Sequence, residues 1–266
     1  MWEALQFEFM QNALMAGLLA SIACGVIGTL VVVNRIVFIS GGIAHAAYGG
    51  IGFAFFFGLP YMIGTSLFSL LAAMLMAGLT LKNRHRSDTV IGVLWAVGMA
   101  SGVIFLDLTP GYNTDLMSYL FGSILAVPGS DIWAMLVLNM AVLFIVAYFY
   151  YDLLAMSYDE EFARVRGVPV KFLYFLLLGM IALAVVMIIR VVGLILVIAL
   201  MTIPPYIAEK YSTSLVRMML ISTLLSAVFT IIGLWLSYVF NLTSGATIIM
   251  VGGTAFFISV LFDHLR

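Results

Sequence analysis

The chain has 266 residues, of which 65% are apolar and 9% charged, with 11 basic and 12 acidic side chains and a net charge of −1. Soluble domains carry about 25% charged residues, so too few charges are present here to cover a water-facing surface, and mean hydropathy is +1.22. These values exclude a soluble enzyme, a nucleic-acid binder with a basic face and a disordered scaffold, and they predict an all-α, polytopic integral membrane protein.

A helix crossing about 30 Å of hydrocarbon needs about 20 mostly apolar residues. The N-terminus, Met1-Trp2-Glu3, lacks the basic region of a cleaved signal peptide, so the first apolar run, 9–34, is predicted to be a retained span. The uncharged run 36–81 holds two helices with a break at Gly58-Leu59-Pro60, and 89–106 is the next span. The apolar segment 116–127 is too short to cross and reads as a re-entrant or surface helix. Runs 132–151, 172–189 and 191–208 follow, and 218–262 holds two more helices parted at 241–245. The expectation is one transmembrane domain over 1–266 with about nine spans.

Basic residues collect on the cytoplasmic side of membrane proteins. Here they cluster at Arg35, 82–86, 164–171 and 210–217, whereas the N-terminus and 107–115 carry only acidic charges. The N-terminus is therefore predicted outside and the C-terminus cytoplasmic, in the cell (inner) membrane, with Arg190 as a misfit on the outside.

The predicted spans hold essentially no Asp, Glu, Lys or Arg away from their ends, and no G-x-x-x-x-G-K-[ST] loop is present. Ion-coupled carriers use intramembrane charge, so transport through this chain needs an external motor. The single cysteine, Cys24, excludes an internal disulfide or a thiolate cluster within one chain. The histidines are His45, His85 and His264, and His45 is the conspicuous mid-membrane group. On a helix, Gly42, Ala46, Gly50 and Ala54 form one small-residue stripe, while Gly41, His45, Gly49 and Phe53 form the next row. Small stripes let backbones approach closely, and glycine one turn either side leaves the imidazole room for water or a divalent cation. A lone membrane histidine is more often a hydrogen-bonding partner for a neighbouring helix.

Two cytoplasmic stretches have the form of docking surfaces. In 157–169, a short charged helix containing Glu161 and Arg164 ends at Gly167 and Pro169. In 202–217, Pro204-Pro205 is predicted to break the preceding span and leave a short amphipathic helix carrying Glu209 and Lys210. An ordinary solvated loop is the alternative for both.

Six segments, in order, carry a family resemblance: ISGGIAHAAYGGIG, SDTVIGVLWAVGMASG, DLMSYLFGSILAV, EEFARVRGVPV, VVGLILVIALMTIPPYIA and LSYVFNLTSGATIIMVGG. Nearly the whole chain resembles the membrane permease subunits of ATP-binding-cassette importers for zinc, manganese and iron(II). The resemblance implies a homodimeric permease with the metal path at or beside the dimer interface. It also implies two cytoplasmic ATPase copies below and an extracytoplasmic metal-binding protein above, with no nucleic-acid partner. No cofactor is held permanently; the divalent ion is cargo. Segment 198–211, with breakpoints at Gly193 and Pro204-Pro205, matches the region that supplies the ATPase coupling helix, and EEFARVRGVPV is a second cytoplasmic contact. His45 matches the family's histidine, but the aspartate common four residues earlier is Gly41, and a second common aspartate corresponds to Asn241, a neutral oxygen donor.

A permease for metal chelates of the siderophore or cobalamin type is the alternative cargo class. Such chains are usually longer. An intramembrane protease would need clustered His/Glu ligands or paired aspartates, which the sequence does not contain, and a purely structural membrane subunit is the remaining alternative.

Overall fold

A computed structural model of the chain describes residues 6–82, 86–110, 124 and 127–264. The expected segment 116–127 lies almost wholly outside these residues, as does His85. The described residues form helices without strands: α1 (Glu8–Val33), α2 (Val37–Phe56), α3 (Tyr61–Lys82), α4 (Ser87–Asp107), α5 (Gly129–Tyr148), α6 (Tyr150–Tyr158), α7 (Glu160–Val165), α8 (Val170–Val192), α9 (Leu194–Lys210), α10 (Leu215–Phe240) and α11 (Ser244–His264). Eight are long and apolar enough to cross a membrane. The ninth expected span is α9, which at 17 residues is slightly shorter than the rest.

The helix ends follow local chemistry. After α2, the Gly58 N–H donates to Phe55 O (3.2 Å) and the Leu59 N–H to Ala54 O (2.8 Å), closing the helix in a Schellman arrangement with Gly58 at φ +62°. The break between α8 and α9 falls at Gly193, φ +80°, a conformation that costs an L side chain dearly. Residue 190, expected outside between two spans, is instead part of α8.

The double proline corrects the sequence expectation. Pro204 and Pro205 sit inside α9, which runs unbroken to Lys210, so no separate amphipathic helix forms in 202–217. A proline in a helix interior removes one backbone hydrogen bond and costs about 3 kcal/mol in isolation. Here both rings are buried, and α1 packs against the defect through Gly28. A Cβ at Gly28 would lie 2.7 Å from Met201 O, the carbonyl that Pro205 leaves without its usual donor, and 3.0 Å from the Pro205 ring. Tertiary packing therefore holds together a helix that local rules would end.

The chain divides into two compact units. One comprises the described residues of 1–33, 116–148 and 188–266, the other those of 34–115 and 149–187. In the first, α1 packs on α10 where a Cβ at Gly25 would come within 2.6 Å of Thr223 Cα, and the fully buried Cys24 lies on the same helix. Asn139 Nδ2 donates to Leu19 O (3.2 Å), joining α5 to α1. In the second unit, α2 lies between α3 and α4 at backbone contact. A Cβ at Gly50 would lie 2.9 Å from Thr65 Cα, one at Gly49 would lie 2.5 Å from Gly98 O, and one at Gly52 would lie 2.8 Å from Gly102 Cα.

Gly52→Ala is expected to destabilise the protein by about 1–3 kcal/mol through overpacking, seen as a lower unfolding temperature in detergent. Gly78→Ala, at a helix position with nothing within 4 Å, is expected to be neutral or to stabilise by up to about 1 kcal/mol.

Candidate functional site

The helix that carries His45 is rich in glycine and alanine on the faces that meet its neighbours. Gly42, Ala46, Gly50 and Ala54 are buried there, as the stripe predicts, and Gly49 of the adjoining row is buried too, while Gly41 is half-buried. A Cβ at Gly42 would lie 2.6 Å from the Ile91 side chain, so this glycine packs directly against α4. Because α2 and α4 touch at their backbones, the larger side chains one turn away meet edge to edge or face to face.

The half-buried His45 ring lies face to face with the Trp95 indole, centroids 4.1 Å apart and 16° from parallel. The space expected around the imidazole is therefore bounded on one face by an aromatic ring. The indole N–H in turn points to Met99 Sδ at 3.1 Å. His45 Nδ1 is buried and has no hydrogen-bond partner among the described residues. The stacking fixes the plane of the imidazole ring. Trp95 was not singled out from the sequence, although the signal was there: it stands one turn before Gly98-x-x-x-Gly102, the small-residue pair that faces the α2 stripe.

Among the described residues, no group of three or more His, Cys, Asp or Glu is placed to hold a metal ion.

Asn241 has a structural occupation. It ends α10 in the left-handed conformation, φ +53° and ψ +45°, with the Leu242 N–H donating to Ser237 O (3.0 Å) and the Ser237 hydroxyl to Leu242 O (2.6 Å). Asparagine tolerates this geometry better than most side chains. Its side chain is exposed, and it belongs to the unit that does not contain His45.

The two stretches expected to be docking surfaces differ in character. In 157–169 the Asp159 side chain caps α7 by accepting from the Phe162 N–H (2.9 Å), Glu160 pairs with Arg164, and Gly167 at φ +82° followed by Pro169 closes the segment. Within α7 only Ala163 is buried; Glu161, Phe162, Arg164 and Val165 are exposed. In 202–217, by contrast, Pro204 and Pro205 are buried and Lys210 is committed within the fold. Its ammonium pairs with Asp263, donates to Ser259 Oγ (3.1 Å) and lies 4.8 Å from the centre of the Tyr206 ring. Glu209 is exposed there.

Replacing Asn241 by glycine is expected to leave the unfolding temperature nearly unchanged, whereas Asn241→Val is expected to cost about 1–2 kcal/mol of stability. Equal losses from both substitutions would point to a role for the side chain beyond its backbone conformation.

Comparison with known proteins supplies the context. Residues 6–263 match the model of the ABC 3 transport family. The chain is 51% identical to an uncharacterized membrane protein of Synechocystis sp., over 98% of this chain and 93% of the relative. It is 34% identical to the manganese transport system membrane protein MntC of Listeria monocytogenes, over 97% of this chain and 92% of that protein. Its fold superposes on a chain of PsaBC from Streptococcus pneumoniae in complex with Fab, with TM-score 0.88 and 32% identity, covering 97% of this chain and 93% of that one. By the extent of these matches, the chain belongs to the ABC 3 transport family.

Proposed function

We propose that this chain is the membrane permease of an ATP-driven importer for a divalent transition-metal ion, with manganese as the first candidate. The observation that carries this reading is the full-length similarity to a protein named for manganese transport. The half-buried imidazole of His45, stacked on Trp95 with its Nδ1 uncommitted, agrees with it. Zinc and iron(II) remain the competing cargoes, because an imidazole ligand alone discriminates weakly among first-row ions.

In this reading His45 is a transient ligand on a path completed by a second copy of the chain, and Trp95 holds the imidazole in orientation. With a glycine at 41, no carboxylate stands one turn before the histidine, so the ion is contacted lightly and released easily. Two ATPase copies supply the work and an extracytoplasmic binding protein delivers the ion. Alternating access between the two copies moves it inward. The basic clusters at Arg35, 82–86, 164–171 and 210–217 support an orientation with these segments on the cytoplasmic face of the cell membrane.

The ATPase contact is assigned first to α7 and its flanks. A short, capped, largely exposed helix that presents Glu161, Phe162, Arg164 and Val165 can seat in a partner's groove. In 202–217, exposed Glu209 with Tyr206 and Tyr211 supplies at most a flanking contact, since Pro204, Pro205 and Lys210 are occupied internally.

In cells expressing equal amounts of permease, His45→Ala is expected to lower manganese uptake at least tenfold while the permease still co-purifies with its ATPase. Trp95→Ala should lower uptake to a smaller extent and Trp95→Phe less again. Uptake that survives His45→Ala removes this residue from the path. For the docking surface, Glu161→Ala combined with Arg164→Ala should reduce co-purification of the ATPase, whereas Glu209→Ala should leave most of it.

A further inference from the structure

The short helix α7 and the His45-bearing helix α2 belong to the same unit. The structure contains a polar link between the two regions. Asn34 Nδ2 donates to Ser157 Oγ at 2.9 Å. Asn34 lies two residues before Ile36, the residue that opens α2, and the intervening Arg35 holds φ +56°, which fixes a sharp turn at the base of that helix. Ser157 lies two residues before Asp159, the residue that caps α7. The hydrogen bond therefore ties the foot of the histidine-bearing helix to the hinge of the short helix.

The surroundings make this tie mechanically significant. A cavity of about 200 Å3 opens beside it, lined by Asn34, Thr80, Met156, Glu160 and Tyr174 among others. A second tie, Thr80 Oγ1 to Tyr174 Oη at 3.1 Å, joins α3 to α8 at the same cavity. Above the joint, α2 is locked to α3 and α4 by backbone contact at Gly49, Gly50 and Gly52. A displacement at its base is thus carried along a stiff rod, reaching His45 about 12 Å higher at 1.5 Å per residue.

We propose that Asn34 is a positioning residue, which together with Ser157 transmits movement of α7 to α2 and so couples ATP hydrolysis in the partner to the setting of His45. The inference rests on the assignment of α7 as the ATPase contact. In this proposal Asn34 acts through α2.

The test uses the permease–ATPase complex in proteoliposomes, with manganese uptake and ATP hydrolysis measured in parallel for Asn34→Ala, Ser157→Ala, the double variant and Ser157→Thr. Each alanine variant is expected to lower manganese moved per ATP hydrolysed at least fivefold, with hydrolysis and co-purification of the ATPase retained. The double variant should be no worse than the poorer single, because both remove one bond, and Ser157→Thr, which keeps the hydroxyl, should stay close to wild type. Should Asn34→Ala fail to assemble, Ser157→Ala poses the same question from the other end of the bond. An unchanged ratio of uptake to hydrolysis, or losses that multiply in the double variant, overturns the proposal. The assignment beneath it is judged separately: if the Glu161→Ala, Arg164→Ala permease binds the ATPase undiminished, α7 is not the contact, whatever the Asn34 variants do.

Discussion

The contact on which the second unit depends is that of two helix backbones with nothing between them. Where α2 meets α4, Gly49 and Gly52 face Gly98 and Gly102 so closely that a single methyl group on any of the four would strike a main-chain atom or a side chain packed against it. In lipid, helices gain little from burying apolar surface against one another, and close approach of this kind supplies the van der Waals contact that replaces it. The same approach fixes the rotation of each helix about its axis. Once that is fixed, His45 on one helix and Trp95 on the other have no choice but to meet.

The fold was largely readable in the sequence because membrane helices are defined by what they lack. Long uncharged runs marked the spans, and Gly58 and the 241–245 segment marked ends where the backbone must leave the helical region, whereas the break expected at residue 190 falls three residues later, at Gly193. The proline pair was misread for the opposite reason. Local rules say that Pro204 and Pro205 end a helix, but Gly28 on another helix receives the defect, and nothing near the prolines in sequence announces that. Lys210 is a similar case. Read alone it is a free cytoplasmic cation; in the fold it is held by Asp263 and Ser259 at the far end of the chain. For the candidate site, His45 was legible from its isolation in an apolar run, whereas the indole that faces it required the register between two helices. The left-handed turn at Asn241 that ends α10 depends on a backbone conformation that its match to a ligand position did not announce.

The second unit combines features that agree with the proposed passage of an ion. Its imidazole is oriented by stacking, and the glycine one turn before it leaves that side of the ring without a carboxylate. The short exposed helix α7 is anchored by a cap at one end and a glycine–proline stop at the other, so it can shift as a body without unravelling. Contact and release of a cargo need such economy of ligands, and a mechanical input needs such a defined handle.

A practical opportunity follows from the position of Cys24. It is the chain's one thiol, and it is wholly enclosed by neighbouring side chains on α1. Maleimide probes, spin labels and fluorophores will therefore find almost no native target in the folded permease. Cysteines introduced in pairs on α7 and at exposed points elsewhere can report distances spectroscopically, against a background that requires no prior mutation of the natural sequence.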